Sequence, residues 1–353
     1  IVKCDEIIAQ VAELIKIQNP KRRFSKEEHE ILVDDFFQKN GEENYGVWVY
    51  YPWLNKVVHL LEEDDFIEVR TNRNQYKITK EERELLSKKR VGVIGLSVGQ
   101  STAITLTMER AYGEIRLADF DDLELTNLNR IRSGVHNLGV SKVAVVAREI
   151  AEIDPFLNVT CFFEGINKSN IDSFFRTGGD LDICIDECDS IDIKILCRVY
   201  AKEMKVPVLM ESSDRGMLDI ERFDLNPDLP ILHGLIDHMD LSKLEGLTTN
   251  EEKMPYVLPI LGLDNVSARL KASMLEINES LSTWPQLGSA VALGGAITTD
   301  TWRRIVTGQF NESGRYYVDL NEMISSKNKF HFTEIKECTT NVEESSNEFK
   351  IDE

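Results

Sequence analysis

Gly95 and Gly99, then Asp119, then the run Asn127-Leu128-Asn129-Arg130 are residue types that together can hold a nucleotide. The stretch Arg90-Val91-Gly92-Val93-Ile94-Gly95-Leu96-Ser97-Val98-Gly99 is a short apolar strand that breaks at glycine. Gln100 to Arg110 continues in helix-forming residues, with Ile104 and Met108 on one face. A helix that begins there turns unbonded N–H groups and the positive end of its dipole toward a phosphate. Glu114-Ile115-Arg116-Leu117-Ala118-Asp119 reads as the next parallel strand, and an acid at its carboxyl end is where a pair of ribose hydroxyls is held. On these residues alone the chain is a nucleotide or dinucleotide fold.

The elements that must position these residues follow in alternation. Leu157 onward gives a strand from Val159 to Phe163, a helix from Ile171 to Phe175, a strand from Leu181 to Ile185, a helix from Ile191 to Met204 and a strand from Val208 to Met210. Short Ile- and Val-rich strands separated by helices predict a parallel sheet covered on both faces. Past Glu211-Ser212-Ser213-Asp214-Arg215-Gly216 the pattern shifts to short strands such as Met217 to Phe223. Upstream, residues 1–79 form a separate extension with an amphipathic helix through Ala9-Val11-Ala12-Ile15, a charged segment from Lys21 to His29 and the aromatic, strand-like Val47-Trp48-Val49-Tyr50-Tyr51-Pro52-Trp53. That aromatic stretch is either a core cluster or a docking surface for another domain or carrier. Asp240 to Pro259 is polar and predicts a mobile loop. The acidic residues 331–353 predict a disordered tail.

The order of motifs carries the reading further. Asp119-Phe120-Asp121 leads through Leu123-Glu124-Leu125-Thr126 to Asn127-Leu128-Asn129-Arg130; Gly139-Val140-Ser141-Lys142 then opens a helix, and Asp186-Glu187-Cys188-Asp189 ends a later strand. From about Arg70 to about Gly308 the chain resembles the ThiF/MoeB/HesA family of adenylating enzymes, related to the ubiquitin-activating enzymes. The resemblance implies an α/β fold, a Rossmann-like ATP-binding domain over residues 80–330 with a mixed sheet, parallel in its first half and antiparallel in its second. It implies Asp119 on the ATP ribose, Asn127 and Arg130 around the phosphates with Gly95, Ser97 and Gly99, Lys142 against the triphosphate and Asp189 on magnesium. Arg70-Thr71-Asn72-Arg73-Asn74 resembles the family's upstream basic motif, which makes Arg73 the arginine that reaches the ATP of a partner subunit in a homodimer. Gly288-Ser289-Ala290 and the helix to Arg304 resemble the helix closing under the acceptor site. The extension resembles that of bacterial proteins joining such a domain to a nitroreductase-like domain.

Adenylation also suits these residue types on physical grounds. A carboxylate oxygen attacks the α-phosphorus while pyrophosphate leaves, so the phosphates need cations rather than covalent help from the protein. A redox dinucleotide fold would share Gly95 and Asp119 but has no use for Asn127, Arg130, Lys142 and Asp189 as a group. A NAD(P)-dependent oxidoreductase and a catalytically inactive scaffold are the alternatives. The acceptor is a carboxylate or equivalent acyl oxygen: the terminal glycine of a ubiquitin-like sulfur carrier, a small molecule, or a modified tRNA base.

Departures from the family pattern are as informative. The usual phosphate loop is Gly-x-Gly-Gly-x-Gly, whereas here Ser97, Val98 and Gln100 stand at glycine positions, and Ile131 stands where glutamine is common after the arginine. A left-handed backbone at Ser97 or Val98 would cost about 1–2 kcal/mol, so the loop is expected to be reshaped. The six cysteines form no Cys-x-x-Cys pair, so no zinc is expected. Cys184 is expected to face the core. Cys188, beside Asp189, is either a reactive thiol or a filler. Unpaired cysteines suit a reducing cytoplasm. The net charge of −20 opposes tight nucleic-acid binding, and the sequence has no run suited to a membrane span.

Overall fold

The computed structural model describes residues 1–41, 45–240, 250–262, 265–277 and 279–325. The first elements are β1 (Val2–Asp5), α1 (Ile7–Gln18), α2 (Lys26–Asn40), β2 (Val47–Tyr51), β3 (Lys56–Leu60) and α3 (Glu63–Thr71). The strands pair in the order β1-β3-β2. The helices bury Ile7, Val11, Ile15, Val33 and Phe37 with Tyr45 and Leu61 in a core of their own. The charged segment from Lys21 to His29 runs into the first turn of α2, which is set by a capping box: Ser25 Oγ accepts the Glu28 N–H while Glu28 accepts the Ser25 N–H. Only Val33 and Phe37 of α2 are buried, so its apolar periodicity is faint.

The aromatic stretch is in part buried and in part exposed. Tyr51 is buried and donates to the Ala151 carbonyl at 3.1 Å, and Trp53 Nε1 donates to Glu152. Both partners lie on the helix that begins at Lys142, so this end of the stretch docks onto the chain's own nucleotide fold. Trp48 and Tyr50 face outward and are exposed.

After α4 (Lys80–Leu86) the chain alternates β4 (Arg90–Ile94), α5 (Gly99–Glu109), β5 (Glu114–Ala118), α6 (Lys142–Ile153), β6 (Asn158–Phe162), α7 (Ile171–Arg176), β7 (Ile183–Asp186), α8 (Ile191–Met204) and β8 (Val208–Ser212). It then turns back in β9 (Met217–Glu221). Next come α9 (Asn250–Leu261), α10 (Ala268–Met274), α11 (Gly288–Val306) and β10 (Gly314–Tyr317). The seven strands lie in the order β10-β9-β8-β7-β4-β5-β6. β6, β5, β4, β7 and β8 run parallel, whereas β9 and β10 are antiparallel additions. Val91 and Val93 of β4 face α5, α6 and α11, with Ala103, Val146 and Trp302 in one core. Ile94 faces α7 and α8, with Phe174, Phe175 and Ala201 in the other. Alternation along one strand thus builds both layers of a doubly wound sheet.

The strand order reverses between β4 and β7, and the crevice outside the carboxyl ends of strands at such a point is where open α/β sheets bind ligands. Register brings the ends level. Ile94 pairs with Ala118 on one side and Asp186 on the other, so Gly95, Asp119 and Glu187 leave the sheet side by side.

The polar stretch from Asp240 to Pro259 is not a loop throughout. Its second part is α9, whose Tyr256, Val257 and Ile260 pack onto Ile195, Met210 and Met217, and this burial outweighs the two prolines inside the helix. Residues 241–249 and the acidic tail at 331–353 lie outside the described residues. Among the described residues no helix is long and apolar enough to cross a membrane.

Candidate nucleotide site

The loop from Gly95 to Gly99 closes around one obligatory glycine. Gly95 has φ +86°, and a Cβ there would stand 2.6 Å from the Glu187 carbonyl oxygen and 2.7 Å from the Cys188 nitrogen. Gly95→Ala is therefore expected to lower stability by roughly 2–4 kcal/mol, combining backbone strain with steric conflict against a main chain that cannot yield. A denaturant titration checks it; a shift within about 0.5 kcal/mol would mean the loop accommodates the methyl by another route.

Neither Ser97 nor Val98 has positive φ, and Val98 is right-handed at φ −91°, ψ −42°. The expected strain at the replaced glycines is thus absent, because Gly95 alone in this loop takes the left-handed turn. Gly99 opens α5 against Val93, whose Cγ1 would lie 2.8 Å from a Cβ there. The α5 N-terminus faces the crevice, where its first N–H groups suit an anion.

Asp119 organises this edge. One carboxylate oxygen accepts the Leu96 N–H at 2.7 Å, and the other accepts the Asp121 N–H at 2.8 Å. Burial raises the carboxyl above its usual range, opposed by those two amides and by the positive charge of Lys142. Lys142 is the first residue of α6 and is buried. Its Nζ reaches Asp121, half exposed, at 2.7 Å. Asn127 spends its side-chain oxygen on the Glu124 N–H at 3.0 Å, while its amide nitrogen makes no hydrogen bond among the described residues.

Arg130 donates from Nε to Ser97 Oγ at 3.0 Å, so it already lies over the loop. Burial lowers its pKa, and the charge of Asp189 opposes that shift, which places Asp189 in its vicinity. Asp189 is exposed in the turn after β7. Among the described residues no group of three or more His, Cys, Asp or Glu is placed to hold a metal ion. A magnesium ion bound largely by phosphate oxygens and water needs only one or two carboxylates, and Asp189 fits that demand.

Arg73 does not join this set within one chain. It is exposed in a turn that follows α3, and the neighbouring Asn74 Nδ2 donates to the Glu109 carbonyl at 3.4 Å while Arg70 donates to the Thr107 and Met108 carbonyls. Those carbonyls end α5. The phosphate loop lies at the other end of that helix, roughly 15 Å away at 1.5 Å per residue.

Beneath the loop the structure holds acids that the sequence reading did not single out. Glu187 directly follows β7 and Glu211 is the penultimate residue of β8; both are buried, and Glu187 accepts the Glu211 N–H at 3.3 Å. Neither Glu211 carboxyl oxygen has a hydrogen-bond partner among the described residues. Gly294 of α11 makes the space, since a Cβ there would stand 2.1 Å from the Glu211 carboxyl carbon. Burial pushes Glu211 up to about 8, and burial with the Glu211 charge pushes Glu187 well above its usual value. No motif marks this pair, because its members come from two strands far apart in sequence.

An ion ladder fills the far side. Arg198 lies fully buried between Asp186 and Glu221, Lys194 reaches Asp186 at 3.3 Å, and Asp219 holds both Arg315 and His233. Against the upward push of burial, Lys194 and Arg198 bring Asp186 down to about 2. Asp186 also accepts the Cys188 thiol at 3.0 Å. Burial beside that carboxylate raises the thiol pKa well above normal, which disfavours the thiolate that a reactive cysteine needs. Arg215 pairs with Asp319 and Glu322.

A profile of the ThiF family matches residues 70–273. An uncharacterized protein of Mycobacterium tuberculosis is 47% identical over 274 residues, which are 78% of this chain and 38% of that protein. The tRNA threonylcarbamoyladenosine dehydratase of Bacillus subtilis is 29% identical over 155 residues, 44% of this chain and 60% of its own. The chain therefore spans less than two thirds of the length of either. The crystal structure of the Escherichia coli tRNA N6-threonylcarbamoyladenosine dehydratase in complex with ATP matches 71% of this chain and 98% of its own with a TM-score of 0.51 at 17% identity, a likeness of fold.

Proposed function

This chain belongs to the ThiF family, and on that premise we propose that it transfers AMP from ATP to a carboxylate or equivalent acyl oxygen, releasing pyrophosphate. The observation that carries this reading is the convergence of Lys142, Asp119 and the Arg130–Ser97 pair around the α5 N-terminus at the point where strand order reverses. In it the α5 N–H groups and Arg130 hold the phosphates. Asp119 receives the ribose hydroxyls while keeping the loop closed through Leu96. Lys142 exchanges Asp121 for the triphosphate, and Asn127 supplies its amide N–H. Asp189 would hold magnesium, which adds positive charge where pyrophosphate departs. The acceptor's oxygen approaches the α-phosphorus and the bond to pyrophosphate breaks, so the protein's part is orientation and charge neutralisation.

Among acceptors, a ubiquitin-like carrier tail and a small-molecule carboxylate are favoured over a nucleic acid, because the chain's net charge of −20 gives phosphate backbones little to bind. The test supplies α-labelled ATP, magnesium and fractionated cell extract, and follows label onto an acceptor. Labelled AMP on a protein or carboxylate supports adenylation. Lack of ATP binding with tight NAD(P) binding would turn the assignment to an oxidoreductase.

Arg73 in this reading serves a second copy of the chain, since its own loop is at the opposite end of α5. Arg73→Ala and Lys142→Ala proteins should each be inactive alone. After subunit exchange at equal mixing, about half the dimers are mixed and each has one intact site, so up to about a quarter of wild-type activity returns. Confirmed exchange with no recovery would remove Arg73 from the partner's site.

A further inference from the structure

Resting on the adenylation reading, we propose that Gln100 is a positioning residue that sets Arg130 over the phosphate loop. It stands where the resembled loop pattern has glycine, and its side chain is only 2% exposed. Its oxygen accepts the Arg132 N–H at 2.8 Å, and its amide nitrogen donates to the Arg132 carbonyl at 2.7 Å and to Glu149 Oε2 at 3.0 Å. The Arg132 guanidinium closes the circuit onto Glu149 Oε1.

One amide with both donors in use therefore ties three elements together: α5, the segment 125–132 and α6. These three carry the loop's N–H groups, Asn127 with Arg130, and Lys142. Ile131, between Arg130 and Arg132, is buried with Leu123 and Val145, so the segment is fixed inward by an apolar anchor and sideways by Gln100. What remains for Arg130 is to lie back across the loop, where Ser97 Oγ receives its Nε. A glycine at position 100 leaves both polar groups of Arg132 without this partner and the segment without its lateral restraint. Two replaced glycines, at 97 and 100, thus supply one contact to Arg130 itself and one to its backbone two residues on.

A residue that acts through Arg130 loses its effect when Arg130 is absent, and a residue that merely supports the fold does not. The test is a double-mutant cycle on ATP–magnesium affinity by titration calorimetry, with thermal stability recorded for every protein. Gln100→Met keeps volume and removes the amide. It should weaken ATP by about tenfold in the wild-type background and by less than about twofold in the Arg130→Ala background, a coupling of ordinary size for residues in one network. Its effect on stability should be the same in both backgrounds. If Gln100→Met fails to fold, Glu149→Ala opens the same circuit from α6 and enters the same cycle. Equal weakening in both backgrounds, or none in either, would overturn the role while leaving adenylation standing. Absence of ATP binding by the wild-type protein would overturn both.

Discussion

Lys142→Ala protein is expected to exchange pyrophosphate into ATP roughly 100-fold or more slowly than wild type, the usual loss when a group that stabilises transition-state charge is removed. Lys142 is the first residue of α6, with its Nζ 2.7 Å from Asp121 and its side chain buried to 7% exposure. The backbone N–H of Lys142 is held by the Asp121 carbonyl at 3.0 Å, so the ammonium is delivered to the crevice by a fixed stem. Stability should barely change. Asp121 is half exposed, and loss of such an ion pair costs about 1 kcal/mol or less. The two readouts together separate a chemical role from a structural one. Asp189→Ala should act in the same direction through the magnesium it would hold. Exchange by both variants at the wild-type rate, measured with an acceptor that wild type uses, would refute the site.

Glu211→Gln should stabilise the protein at alkaline pH and leave it nearly unchanged near pH 5. The carboxyl rises from its ordinary 4.5 to about 8 in the folded protein because burial disfavours its charge. Through that window the folded state binds more protons than the unfolded state, so stability falls as pH rises from about 4.5 and the full penalty stands above 8. A shift of this size corresponds to a few kcal/mol, shared with Glu187 because the two carboxyls influence each other. At pH 9 the variant should melt roughly 5–10 °C above wild type. Melting curves of the two proteins from pH 5 to 9 decide it. Parallel profiles would mean that the Glu211 carboxylate finds a partner when it ionises.

The strands and helices of the parallel half were legible because burial on both faces writes itself as short Ile- and Val-rich runs; Ile191 to Met204 is the helix in sequence and structure alike. The loop was legible as a strand-to-helix turn broken at glycine, but not in detail. Only a backbone reveals that Gly95 alone takes the left-handed turn, and that Val98 is already helical. Gln100 was visible as a departure, yet its task depends on a backbone segment thirty-odd residues on, which no local pattern specifies. The helix α9 was hidden by two prolines and a polar start. The Glu187–Glu211 pair was hidden for a different reason: its meaning lies in the burial of a carboxyl that makes no hydrogen bond among the described residues, and absence of a partner has no sequence signature.

The Asp186–Arg198–Glu221 ladder constrains how this lineage can change. Removing any one member strands a buried charge at a cost of roughly 3–5 kcal/mol, whereas exchanging the whole set for apolar residues of similar volume is often neutral. The neutral alternatives are therefore several simultaneous substitutions away, across a gap that single steps do not cross. Homologous chains should keep these positions or replace them as a block, and isolated changes at Arg198 should be purged because its guanidinium is fully buried between two carboxylates.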